Sequence, residues 1–171
     1  IVVVSAVVIG ILSLRLSGDV TQRPVITLAF ILAGAYLGFL PYNFYPQKIM
    51  PGYGAGALAG FFLAILAILS GAKLATAILV LGVPIIDAAY TVLRRLLAGR
   101  SPVWGDRGHL HHRLMDLGWG KRRIAIWYWL VSAALGFIAL QLNSQQKLYT
   151  LVILGVIIGM GLLWLSHSSY Y

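Results

Sequence analysis

Apolar residues run along this chain in long blocks, separated by short polar stretches. Six blocks can be read, at 1–14, 24–40, 55–70, 74–93, 124–142 and 148–166. None alternates apolar and polar positions with a period of two, so none reads as a half-buried strand. Most approach the roughly 17–25 residues that a helix needs to cross about 30 Å of hydrocarbon. Inside lipid every backbone N–H and C=O must be paired within the protein, which leaves helices and closed barrels as the spanning forms. The pattern predicts an all-α fold, a polytopic transmembrane helix bundle of about six segments forming one domain over 1–171. Small residues recur within the blocks, as in Gly54-Ala55-Gly56-Ala57. They let helices approach closely, and packing accounts for most of these glycines.

Composition strengthens this reading. Of 171 residues, 60% are hydrophobic and only 10% charged, with a mean hydropathy of +0.90. Soluble domains carry about 25% charged residues, so the solvent of this chain is largely lipid. There is no Cys, which excludes disulfide and thiol chemistry. The four acidic residues are Asp19, Asp87, Asp106 and Asp116, against thirteen Lys and Arg, for a net charge of +9. On a membrane protein such an excess faces anionic headgroups or an anionic substrate. Nucleic acid is not expected as a partner, because the basic residues are squeezed between two spans without a stacking platform. The chain opens inside an apolar block at Ile1, without a basic leader or cleavage site. Its start therefore reads as a cut end, with an incomplete first helix.

The polar stretches set the topology. Arg94, Arg95, Arg100, Arg107, Arg113, Lys121, Arg122 and Arg123 make eight of the thirteen basic residues. The positive-inside rule puts the 94–123 loop in the cytosol. Two crossings earlier, the 41–54 connection falls on the same side. The two longest loops are thus expected to share the cytosolic face of the plasma membrane.

Three places carry candidate chemistry. In Gly105-Asp106-Arg107-Gly108-His109-Leu110-His111-His112-Arg113, three His fall within four residues. Helical zinc pairs sit at i, i+4 with a nearby Glu, and neither condition holds here. The loop is also strongly cationic, whereas zinc favours anionic ligands. Guanidinium forks and imidazoles suit phosphate better, since His both donates and takes up a proton near neutral pH. The rival reading is a solvated loop that only fixes topology. Asp87 lies inside an apolar block. An intramembrane carboxylate costs about 2.5–3.5 kcal/mol on insertion scales and marks a functional site by default. Pro84 loosens the helix beside it, and Thr91 and Arg94 share its face. A pair between Asp87 and Arg94 that merely orients the helix is the alternative. Finally, Asn43 stands among aromatics and prolines in Pro41-Tyr42-Asn43-Phe44-Tyr45-Pro46, where it can meet a substrate. The aromatics alone would form an interfacial belt.

At these places the chain resembles the polyprenyl-phosphate N-acetylhexosamine-1-phosphate transferases, a family that includes the phospho-MurNAc-pentapeptide transferases. The likeness lies in Gly82-Val83-Pro84-Ile85-Ile86-Asp87, in Arg94-Arg95, in Ser101-Pro102, in 106–114, in Leu117-Gly118 and in 37–44. It covers nearly the whole chain but only the C-terminal portion of a full family member. The resemblance implies Mg²⁺-dependent transfer of an N-acetylhexosamine 1-phosphate from a UDP-sugar to polyprenyl phosphate. UMP is released and a lipid-linked sugar pyrophosphate forms for cell-envelope polysaccharide synthesis. N-acetylglucosamine is the expected sugar, and a homodimer is consistent with the family. Asp106, Arg107, His109, His111, His112 and Arg113 are implied to bind the donor phosphates, with Asn43 at the cytosolic mouth and Asp87 in support.

Two departures qualify this. The family's aspartate-rich motif on an early cytosolic loop is missing. In register with a Phe-Met-Gly-Asp-type motif stands Met50-Pro51-Gly52-Tyr53, so Tyr53 occupies the position of the magnesium-holding Asp. Mg²⁺ wants carboxylate oxygen. The expectation is therefore that the chain alone binds Mg²⁺ poorly and does not turn over. The alternative function is a degenerate, non-catalytic membrane protein that keeps an anion-binding loop. A transporter or scaffold is a third class, disfavoured because no inverted repeat is visible.

Overall fold

The computed structural model describes residues 1–16, 18–70, 74–101 and 108–168. They form eight helices and, among the described residues, no strand. The helices are α1 (Val2–Arg15), α2 (Gln22–Asn43), α3 (Gly52–Leu69), α4 (Leu74–Val80), α5 (Gly82–Leu97), α6 (Leu110–Asp116), α7 (Lys121–Gln141) and α8 (Ser144–Ser168). The all-α bundle expected from the apolar blocks is present. Four helices are long and apolar enough to cross a membrane, and a fifth span exists if α4 and α5 count as one. The fourteen-residue α1 is apolar but shorter.

The block at 74–93 is not one straight helix. It breaks at Leu81, and α4 and α5 diverge by 77°. Pro84 explains the position. Lacking an N–H, it is tolerated in the first turn of a helix and not in the interior, so a new helix starts just before it. The stretch 94–123 likewise holds the end of α5, all of α6 and the start of α7 rather than a single loop.

Two apolar clusters hold the bundle. Ala6, Ile9, Val25, Ala29, Leu63, Leu66 and Ala77 join α1, α2, α3 and α4. Leu79, Val83, Leu110, Leu135, Ala139 and Leu162 join α4, α5, α6, α7 and α8. The short α4 thus contributes to both. At Gly136 a Cβ would stand 2.6 Å from Val8 Cγ2 and 3.5 Å from Val80 Cγ2, so α1, α4 and α7 meet there at backbone distance. Outward positions stay apolar. Leu130 is 65% exposed and Phe137 66%. That is expected where the surrounding medium is hydrocarbon.

Side-chain ties fix the two ends of the bundle. Arg15 Nη1 donates to Leu140 O at 2.6 Å, joining the C-terminal ends of α1 and α7. At the other end of α7, Arg122 Nε donates to Tyr45 O at 2.7 Å. Its guanidinium lies 5.9 Å from the Phe44 ring centroid. Phe44 also meets Trp129, with ring centroids 5.4 Å apart. The segment after α2 and the segment before α7 therefore lie at one end, as the topology required.

Candidate functional site

Asp87 organises the site. Positions 83, 87 and 91 share one face of α5, and Val83, Asp87 and Thr91 are all buried. A carboxylate is stable there only with partners, and it has them. Oδ1 accepts the backbone N–H of Leu110 at 2.8 Å. Oδ2 meets His109 Nδ1 at 3.1 Å. Leu110 is the first residue of α6, so Asp87 satisfies an N–H that the helix itself leaves unpaired. A carboxylate only accepts, which puts the His109 proton on Nδ1. Thr91 Oγ1 lies 3.4 Å from the same nitrogen. One residue of α5 thus sets both the start of α6 and the tautomer of its first imidazole.

From that anchor the other two imidazoles follow. His109 and His111 stack with centroids 5.8 Å apart and planes at 15°. His111 and His112 are 4.2 Å apart. His112 Nδ1 is buried without a hydrogen-bond partner. His111 and His112 line a cavity of about 580 Å³ with Asp87, Met115, Lys121, Tyr128 and Trp129. Burial holds the His111 pKa below the usual histidine range. The adjacent His112 and His109 lower it further, against a smaller opposite pull from Asp87.

A second cavity, of about 550 Å³, lies between α2, α3 and α7. Asn43, Phe44, Tyr45, Gln47, Gly56, Lys121 and Trp129 are among its lining residues. Asn43 also donates through Nδ2 to Ile49 O at 3.2 Å, which ties the loop back onto α2. Lys121, Ala125 and Trp129 line both cavities, so the two share a wall on α7.

The expected site residues fall into groups. His111 and His112 face the first cavity and Asn43 the second. His109 stands behind them on Asp87. Arg113 is used structurally. Its Nε donates to Gly108 O at 3.1 Å, its Nη1 to Leu162 O at 2.7 Å, and its guanidinium lies 5.7 Å from the Tyr90 centroid. Asp106 and Arg107 lie outside the described residues. Lys121, Tyr128 and Trp129 were not singled out from sequence. Their signal was there in the spacing 121, 125, 128 and 129, which is one face of a helix.

The described donors do not fit Mg²⁺. Among the described residues no three His, Asp or Glu side chains come together in a cation-holding group. Among the described residues Asp87 is the only carboxylate lining either cavity, and both of its oxygens are engaged. Tyr53 is 94% exposed and lines neither cavity.

A polytopic helical bundle with a cluster of imidazoles near the start of α7 defines the class, a helical membrane protein. Comparison with known proteins gives the family. Residues 1–71 match the family model described as glycosyl transferase family 4. Decaprenyl-phosphate N-acetylglucosaminephosphotransferase of Mycolicibacterium smegmatis is 36% identical over 140 residues, covering 70% of this chain and 34% of the relative. A probable undecaprenyl-phosphate N-acetylglucosaminyl 1-phosphate transferase of Bacillus subtilis is 31% identical, covering 78% and 39%. Phospho-N-acetylmuramoyl-pentapeptide-transferase of Moorella thermoacetica is 30% identical, covering 80% and 42%. No solved structure matches. The chain belongs to the polyprenyl-phosphate N-acetylhexosamine-1-phosphate transferase family. It spans about a third of the length of the first of these relatives.

Proposed function

We propose that the His111–His112 cavity holds the diphosphate of a UDP-N-acetylhexosamine, of which UDP-GlcNAc is the first candidate. The reaction served is transfer of the sugar 1-phosphate to polyprenyl phosphate. A phosphate oxygen of the lipid attacks the sugar-bearing phosphorus, a new P–O–P bond forms, and the bond to UMP breaks. One observation carries the reading. Asp87 fixes the start of α6 so that two imidazoles face one cavity with Lys121 on its wall. Preset donors of this kind stabilise charge as it develops on phosphate oxygens. The names of the relatives support the lipid acceptor and the sugar phosphate.

A second reading, binding without turnover, is favoured by the donor set, which among the described residues offers no carboxylate cage for Mg²⁺. One experiment separates the two. Purified chain in lipid nanodiscs is titrated with UDP-GlcNAc, then assayed for UMP release with polyprenyl phosphate and MgCl₂. Binding that weakens by about tenfold or more in His111→Ala, matching loss of a charge-assisted contact, supports the donor site. UMP release by the unaltered chain supports transfer. Binding without release, with release gained in Tyr53→Asp, supports the second reading. Equal affinity in His111→Ala and the unaltered chain would sink the donor site.

A further inference from the structure

We infer that Lys121 supplies the positive charge at the diphosphate, so that this chain binds its anion without a divalent cation. The inference rests on the donor site proposed above and goes beyond it in naming the charge and dispensing with the metal. Two phosphates crowded into a half-buried cavity need a counter-charge. Among the described residues the carboxylate that could recruit a metal there, Asp87, is occupied by His109 and the Leu110 N–H. Among the described residues, the polar side chains left to face the ligand are His111, His112, Tyr128 and Trp129, with one cationic side chain, Lys121.

The three successive cations at the start of α7 are used differently. Arg122 is tied to Tyr45 O and the Phe44 ring. Arg123 lies 4.3 Å from the Trp119 centroid. Lys121 Nζ lies 5.2 Å from the Tyr45 centroid and is the one of the three that lines a cavity, and it lines both. Arg122 holds the Tyr45 backbone against α7, so the ring under the ammonium is held as well. Lys121 thus stands on the wall shared by the two cavities, within side-chain reach of an anion in either. The unpartnered Nδ1 of His112 is a further polar group awaiting a partner on the same wall.

The test uses the whole chain in nanodiscs, with UDP-GlcNAc and inorganic pyrophosphate as probes, in EDTA and again in millimolar MgCl₂. The expected result is binding in EDTA that changes less than about twofold with MgCl₂. Lys121→Gln should weaken it by about tenfold, and Lys121→Arg should retain it. Lys121 is exposed at a helix start, so Lys121→Gln should melt with the unaltered chain. Binding seen only with MgCl₂ overturns the inference, as does unaltered affinity in Lys121→Gln. If His111→Ala abolishes UDP-GlcNAc binding while Lys121→Gln does not, the donor site stands and the inference falls. If pyrophosphate binds in a Lys121-dependent way and UDP-GlcNAc does not bind, the donor reading falls and the cation assignment stands. If neither probe binds, both fall.

Discussion

Asp87 shows what a single carboxylate can do inside an apolar helix. It buries its charge by giving one oxygen to an imidazole and the other to the first N–H of the next helix. The cost of burial thereby becomes a positional constraint on His109, His111 and His112. Its neighbours set a pH response. His111 has a pKa below the usual histidine value, so it is largely neutral at neutral pH and offers a donor without full charge. A bound diphosphate favours the protonated ring, so proton uptake accompanies binding. The sign follows from linkage: affinity rises as pH falls through the bound-state pKa, and levels off below the free-state one. Calorimetric titration of the chain with UDP-GlcNAc from about pH 8 to about pH 6 should show strengthening, and His111→Asn should flatten it. Among the described residues the titratable groups facing His111 are His109, His112, Asp87, Lys121 and Tyr128. Much of this was legible. The clustered His and the lone intramembrane Asp both stand out in a chain this apolar. The bond between them was not, because His109 lies 22 residues from Asp87 and no helical period links them. Arg113 was misleading for a related reason. Sequence marks a guanidinium as available for phosphate, but only the fold shows its forks turned to Gly108 O and Leu162 O.

Among the elements, the break between α4 and α5 matters most. Sequence located the apolar block and the proline, and it placed the loosening near Pro84. It did not yield the 77° turn, because a bend depends on what packs against each half. Here α4 lies between two clusters while α5 carries Asp87 toward α6. Gly82, where a Cβ would stand 2.6 Å from Leu154 Cδ2, lets α8 pass close to the turn. An equally close contact lies at Gly136, but there it is opposite the stiff, branched Val8. Gly136→Ala should therefore destabilise the bundle by about 1–3 kcal/mol, read as a lower melting temperature in detergent. Gly155 has no atom within 4 Å of its would-be Cβ, so Gly155→Ala should leave melting unchanged or raise it. Equal effects at the two positions would remove close helix approach as the reason for Gly136.

At the scale of the whole molecule, both cavities and the imidazole cluster lie around the start of α7, while Arg15 and Leu140 mark the opposite end. We expect the cavity end to face the cytosol, where the basic residues gather. The chain contains no cysteine, so single cysteines report without background. In sealed cells Gln47→Cys and Leu117→Cys should resist a membrane-impermeant maleimide, and Gln145→Cys should react. The reverse pattern would invert the orientation. Helix count was nearly readable from hydropathy alone, because lipid demands long apolar segments. The pairing of segments was not, since every span presents similar side chains to its neighbours.

The shared wall has an optical corollary. Trp129 borders both chambers and rests on Phe44. An indole so placed changes its emission when the polarity beside it changes. The chain has five tryptophans, and among the described ones it is the one that borders both chambers, so the protein carries its own fluorophore at the seam. With the other four replaced by phenylalanine, filling either chamber would shift one spectrum. Adding the two ligands in turn would then reveal whether they sit side by side or displace one another.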